Sequence, residues 1–401
     1  MSALVPLFHT IRTRLAALCP TLRPASAERL ALLVTGILAS RSCVLARIAA
    51  ELEALAVTAA TCPESIERRL RRTLSDTQLE RGCYHALVQS LVDWPALLAQ
   101  TGRILLILDE SSKGETLHLL QLSLAYRGSA IPLSWTVWAQ NVPLPTGAYW
   151  EAMDTILDEV AALLPPQAPV LVLADRAYDI PPVIDRLTAR GWHWLIRCKA
   201  NGSLRFCDAQ GTEHELAPLL RQQLTPGRRW KGRGRLFKDA GWREASVVGL
   251  WARDEEAPLV VISDLPPRWE LLGWYRRRAW TEPAFRHTKS KGWQWEHCQV
   301  QGVAHQQRLL LGMAWASVLT LLAGVEVARA ALARQVQHRH FTRPQHARRS
   351  LFMLGLSWLP QWLAPPAVLP PWRLTDFSPH SWNDQWLAHQ RYHLIFSPVR
   401  P

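Results

Sequence analysis

Unbroken apolar runs are scarce in this chain of 401 residues. No uninterrupted apolar stretch of about 20 residues, the length a helix needs to cross a bilayer, occurs in it. The nearest candidate, 309–327, is broken by Trp315, Ser317, Thr320, two glycines and Glu326, and it reads as a buried helix. The N-terminus has scattered arginines but no apolar core followed by a small-residue cleavage site, so no secretory signal is expected. Cysteines number seven, at positions 19, 43, 62, 83, 198, 207 and 298. None forms Cys-x-x-Cys, and Cys198 with Cys207 lacks a His-x-His partner at zinc spacing. A disulfide framework and a zinc ribbon are therefore excluded, and reduced, buried thiols in the cytoplasm are expected. Gly-x-Ser-x-Gly, a phosphate-binding P-loop and His-Glu-x-x-His are absent, as is a clear helix-turn-helix signature. Acids are the scarcer charge, with Asp+Glu 33 against Lys+Arg 46 and a formal net charge of +13. That sign favours a polyanionic partner, and nucleic acid fits better than a membrane in a chain without a spanning segment.

What the chain does have is core. Its hydrophobic fraction of 48% is that of a globular protein, and its length allows two or three domains. Tryptophan is abundant, at 20 residues. Most are expected to pack, and a few are candidates for stacking on unpaired bases.

Residues 1–98 read as helical. Ser65–Leu74 places Ile66, Leu70 and Leu74 on one face and four arginines largely on the other, either a solvated face or one that lies against phosphates. From 99 to 200 the pattern changes to β-β-β-α-β-α-β. Strands are expected at Arg103–Asp109, Leu117–Tyr126, Ala130–Trp138, Val170–Asp175 and Trp192–Cys198, with helices at Tyr149–Leu164 and Pro181–Arg190. The first three strands form an antiparallel meander, and the fourth returns through a helix to lie parallel beside the first. Residues 201–265 read as a β-rich insertion, with turns at Asn201-Gly202 and Gly211. Within it, Gly227–Lys238 has six cations, no acid and three glycines, and is expected to be a mobile basic loop. A helical segment, 266–330, and a C-terminal region, 331–401, follow. The latter includes an Arg/His-rich stretch at 334–349 and a loop-rich tail from 358.

Three acids occupy settings suited to phosphodiester chemistry. Asp109 and Asp175 each end an apolar run, so the strand order brings them together where neighbouring strand ends meet. Glu282 lies in Tyr-x-x-Arg-x-x-x-Glu-x-x-x-x-x-x-Lys, as Tyr275, Arg278, Glu282 and Lys289. On one helix these four fall within roughly 60° of each other. One face would then carry a carboxylate, two cations and a phenol. Pro283 interrupts this helix, which is expected to kink at, or restart from, Thr281-Glu282 with Thr281 as the cap. Three carboxylates of this kind form a hard oxygen site suited to Mg²⁺ or Mn²⁺, and two ions there would need no side-chain nucleophile.

On these residues the chain resembles bacterial insertion-sequence transposases of the DDE class, of the insertion-sequence-four type. The Tyr-Arg-Glu-Lys signature is the specific part. The interval of 107 positions from Asp175 to Glu282 accommodates that family's β-rich insertion. The likeness covers about residues 100–325. It implies an α/β fold: a ribonuclease H-like core with a mixed sheet and helices on both faces, a β-rich insertion and flanking helical regions. It implies that Asp109, Asp175 and Glu282 bind two Mg²⁺ or Mn²⁺ ions and catalyse both end cleavage and strand transfer. It also implies that Tyr275, Arg278 and Lys289 contact phosphates of the transposon end. Some members hold a flipped base on a tryptophan, for which Trp230, Trp192 and Trp194 are candidates. Arg229 and Arg233, beside Trp230, are expected to bind DNA. The implied partners are double-stranded terminal inverted repeats, target DNA and a second copy of the chain, in the bacterial cytoplasm at the nucleoid. The rival expectation is a catalytically silent, transposase-derived DNA-binding protein. A stand-alone nuclease would share the site but lack strand transfer.

Overall fold

The computed structural model describes residues 4–54, 62–199, 204–337, 350–362 and 372–374. Six helices come first: α1 Leu4–Leu18, α2 Pro24–Ser40, α3 Leu45–Ala54, α4 Pro63–Leu74, α5 Gly82–Leu91 and α6 Trp94–Thr101. On α4, Ile66, Leu70 and Leu74 are buried as the spacing predicts. Two of its arginines are held by acids, Arg69 by Glu28 at 2.8 Å and Arg71 by Glu67 at 2.6 Å.

Next come β1 Ile104–Lys113, β2 Leu117–Tyr126, β3 Ser129–Ala139, α7 Ala148–Ala161, β4 Val170–Ala174, α8 Pro181–Ala189 and β5 His193–Arg197. The expected order is present. β1, β2 and β3 pair antiparallel, and β4 lies parallel between β1 and β5. The turn at Arg127-Gly128 has φ of 44° and 80°, the left-handed pair that matches the twist of a two-residue hairpin. Both faces of the central strands are covered. Ile104, Leu106 and Leu108 join one core cluster, while Leu105 and Ile107 join another. That double burial is why these strands read as continuous apolar runs. One boundary differs from expectation. β1 does not end at Asp109 but runs on to Lys113, because residues 109–113 keep pairing with β2.

The next segment holds β6 Arg205–Asp208, β7 Glu213–Glu215, α9 Leu216–Gln223, β8 Arg229–Leu236, β9 Arg243–Leu250 and β10 Leu259–Ser263. The turn expected at Asn201-Gly202 lies outside the described residues. The β-rich character holds, but these strands extend the main sheet. One ten-stranded sheet runs β3-β2-β1-β4-β5-β10-β9-β8-β6-β7. The expected mobile basic loop is a correction, since residues 229–236 form β8, paired along its length with β9. Strict alternation explains it. Arg229, Lys231, Arg233 and Arg235 share one face, and Trp230, Gly232, Gly234 and Leu236 share the other.

The helix expected around Glu282, with one kink or restart at Thr281-Glu282, is broken into four pieces. They are α10 Glu270–Tyr275, a 3₁₀ turn Arg276–Trp280, α11 Thr281–Arg286 and a π turn His287–Lys291. Pro283 is the third residue of α11, where a missing N–H costs nothing. The restart falls at Thr281 as expected, but the cap position is Trp280, and the Thr281 hydroxyl is buried without a hydrogen-bond partner. Helix α12, Val303–Gln337, then runs through the core against α2, β3 and α13, Leu351–Trp362. Its segment Val303–Arg329 is long and apolar enough to cross a membrane, but 83% of its most apolar window is buried in protein. Residues 338–349, 363–371 and 375–401 lie outside the described residues, and with them most of the Arg/His-rich stretch and the tail.

Candidate active site

The register of β1 on β4 builds the site. Leu108 pairs with Ala174, which sets Asp109 beside Asp175. Both acids lie on the sheet face of Leu105, Ile107, Leu171 and Leu173, which α10 and the following turn cover with Leu271, Tyr275 and Trp280. The same turn carries Arg278 to the acids. Its Nη2 donates to Asp109 Oδ1 at 3.0 Å and Oδ2 at 3.1 Å. It lies 3.7 Å from Asp175 Oδ2, while Nη1 reaches Glu282 Oε1 at 3.5 Å. One guanidinium therefore touches all three sequence-identified carboxylates.

The electrostatics are uneven. The Asp109 side chain is 10% exposed, that of Asp175 32%, and that of Glu282 60%. Burial pushes the Asp109 carboxyl up to about 6, against the pull of Arg278 and the Glu110 N–H, and the Asp175 charge pushes it the same way. Burial disfavours the Arg278 cation, but Asp109, Tyr275 and Asp175 together hold its pKa above the ordinary value. Asp175 is anchored by its own turn, its Oδ1 accepting from the Ala177 N–H at 2.7 Å.

Not all the expected residues join this cluster. Tyr275 is buried beside it, its phenol pushed up by burial while Arg278 and Arg197 pull it down. Lys289 is half-buried on the π turn and makes no hydrogen bond or ion pair among the described residues. The broken helix is the reason. A π turn has a wider period than an α-helix, so the single-face geometry does not carry through to position 289. Trp192 and Trp194 are buried packing residues, which removes them as base platforms. Trp230 is half-buried, edge-on to Phe206 at 6.1 Å, on the sheet face opposite the β8 cations. Arg233 is tied inward, its Nη1 donating to the Asp264 carbonyl at 2.7 Å and to Ser246 Oγ at 3.2 Å. Arg229 is exposed and lies over the Trp269 ring at 4.6 Å.

Sequence reasoning missed two features. On the other side of β1 from Asp109, Glu110 Oε1 accepts from Tyr149 Oη at 2.6 Å and from Tyr178 Oη at 3.2 Å. Tyr178 follows Asp175 in the same turn, so this bond ties the Asp175 turn to β1. The spacing of Asp109-Glu110 was visible, but the phenols come from a helix and a turn far along the chain. The other is the sheet face itself. Following the register Ile107–Leu173–Leu195–Ser263, then Val261–Val248–Lys231, places the cationic face of β8 on the same side as Asp109 and Asp175.

A carboxylate on β1, one just past the end of β4 and a third in the first turn of α11 are hard oxygen donors, as Mg²⁺ and Mn²⁺ prefer. Among the described residues no three His, Cys, Asp or Glu side chains stand ready around one metal position. The three acids converge on a cation that the chain itself supplies. Their donor chemistry fits a divalent ion once that cation moves.

Residues 150–319 match the family described as Transposase DDE domain. The matched segment contains Asp175, Tyr275, Arg278, Glu282 and Lys289, and Asp109 joins it through the β1–β4 register. No curated protein matches the chain. Among solved structures, a piggyBac transposase synaptic complex with hairpin DNA is similar at 11% identity and a TM-score of 0.41, covering 99% of this chain and 84% of that one.

Proposed function

We propose that this protein is a DNA transposase of the insertion-sequence-four type, cutting the ends of its element and joining them to target DNA. The observation that carries the reading is the meeting of Asp109, Asp175 and Glu282 on one guanidinium, within a chain that matches a transposase domain. The strand order β3-β2-β1-β4-β5 supports a ribonuclease H-like core, with one acid on the first strand and one directly after the fourth.

In this reading Asp109, Asp175 and Glu282 hold two divalent ions, Mg²⁺ or Mn²⁺. When bound, such ions activate a water or a 3′-hydroxyl and stabilise the leaving oxygen. The buried Asp109 fixes the inner edge of the site, and the exposed Glu282 leaves an open side for a phosphodiester. The bond from Tyr178 to Glu110 holds the Asp175 turn in register with β1. Arg278 and Lys289 supply phosphate contacts, and the buried Tyr275 packs behind Arg278. Double-stranded element ends and target DNA are the substrates. Two copies of the chain on paired ends would allow both ends to be cut together, in the bacterial cytoplasm.

The test is cleavage of a plasmid carrying the element's ends, with and without Mg²⁺ or Mn²⁺. The expected outcome is metal-dependent cutting at the ends, reduced at least a hundredfold in Asp175→Ala, with DNA affinity retained. Tight DNA binding without cutting in either metal would overturn the enzyme reading in favour of a transposase-derived binder.

A further inference from the structure

We infer that Arg278 is a place-holding cation whose departure makes the carboxylate site available, so that DNA and divalent metal bind cooperatively. This rests on the metal-site reading above and adds to it a role for one side chain.

The geometry is specific. Arg278 Nη2 bonds both oxygens of Asp109 at 3.0 and 3.1 Å, and the same guanidinium reaches Asp175 at 3.7 Å and Glu282 at 3.5 Å. Its side chain is 19% exposed and that of Asp109 10%, so this pair is shielded from water and salt. A divalent ion on the inward oxygens of Asp109 and Asp175 would sit within a few ångströms of a guanidinium that already holds them. Like charges that close in a low-dielectric site repel strongly. Ion and guanidinium therefore exclude one another.

Arg278 also has somewhere to go. It stands on the 3₁₀ turn between α10 and α11, and its Nη1 already meets Glu282, the most exposed of the three acids. A guanidinium fork pairs with a phosphate as well as with a carboxylate. A backbone phosphate at the open side gives Arg278 a new partner and leaves three carboxylates without their cation. Whatever draws Arg278 outward must tighten metal binding, and metal must tighten DNA binding by the same factor. Without DNA the charge of Arg278 keeps the acids paired, and the site stays weak for metal.

The test measures Mn²⁺ affinity by the electron paramagnetic resonance of free Mn²⁺, on the full chain. It is run with and without a short duplex from the element's end, against a blank of duplex alone. In wild-type protein the duplex should tighten Mn²⁺ binding by about 5- to 150-fold, the range of typical couplings. Arg278→Gln should bind Mn²⁺ tightly without DNA, and the effect of the duplex should shrink toward none. Arg278→Lys keeps the charge but not the fork, and should fall between the two. It also serves if the Gln variant does not fold. Asp175→Asn should abolish binding in every background. Equal Mn²⁺ affinity in wild type and Arg278→Gln, with binding still lost in Asp175→Asn, overturns the place-holder and leaves the metal site standing. No saturable Mn²⁺ binding in any variant, with or without DNA, overturns both.

Discussion

At the residue scale, His287 shows how burial sets a pH limit on the fold. It opens the π turn, is buried, and stacks on Phe352 with ring centroids 4.3 Å apart and planes at 11°. Burial pushes its imidazole down to about 4, and the neighbouring Arg286 pushes the same way. The folded value lies below the ordinary value of 6.5, so the unfolded chain binds more protons in between. Stability is therefore expected to fall as pH drops from 6.5 toward 4, by up to about 3 kcal/mol. His287→Phe keeps the stack and removes the titration. Thermal unfolding across that range should show a flatter acid limb in the variant, and parallel curves would refute the assignment. Nothing around position 287 in the sequence signals burial, since it sits between two cations in an Arg-His-Thr-Lys stretch. The two aspartates of the candidate site were legible, because an acid at the end of an apolar run is an unusual placement. The link from Arg278 to Asp109 was not, because it spans 169 positions and depends on how the turn folds back over the sheet.

At the element scale, the strands of the central sheet were legible from apolar runs and turn residues, and β8 was not. Its glycines and dense charge looked like a loop, but period-two alternation was present and the pairing partner β9 decided the outcome. The glycines have a packing reason that a sequence cannot display. At Gly234 an added Cβ would come within 2.1 Å of the Cys207 carbonyl oxygen and 2.8 Å of the Phe206 ring. The contact is with the backbone of the paired strand β6 and cannot relax cheaply. Gly234→Ala is expected to cost about 1–3 kcal/mol. Gly273, inside α10, has nothing within 4 Å of such a Cβ. Gly273→Ala should be neutral or stabilising by up to about 1 kcal/mol, as helix propensity predicts. Urea unfolding midpoints distinguish the two. A Gly234→Ala midpoint equal to wild type would mean that β6 and β8 do not pair as described.

At the scale of the whole molecule, the acid-bearing and basic segments are one sheet, which the sequence did not disclose. Pairing of β10 with β5 joins segments more than 60 positions apart, and no local pattern encodes it. The consequence is spatial. β8 lies four strands from β4, roughly 19 Å at the usual strand spacing, with its cations on the face of the acids. A duplex held at the acids would meet that row by passing over α10 and the turn after it, which cover the strands between. The cations are not equivalent. Arg233 is tied to the Asp264 carbonyl and Ser246 within the fold, and its removal would be structural. Arg229 and Lys231 are exposed and flank Trp269 at 4.6 and 5.2 Å, and Arg235 is exposed over Trp242 at 5.5 Å while its Nη2 donates to Cys207 Sγ at 3.3 Å. Replacing Arg229, Lys231 and Arg235 by Gln should leave the unfolding midpoint within about 1 kcal/mol of wild type, because these are exposed cations without a buried ion pair. The same variant should weaken duplex binding. The slope of log affinity against log salt should fall by about 0.9 for each phosphate that is no longer neutralised, and so by up to about 3. Fluorescence anisotropy at several salt concentrations gives the slope directly. An unchanged slope would make the β8 row a solvated surface, and DNA would then have to leave the acids across another side of the sheet. A slope reduced with metal-dependent cleavage of bound DNA intact would separate the task of holding DNA, done by β8, from the chemistry at Asp109, Asp175 and Glu282.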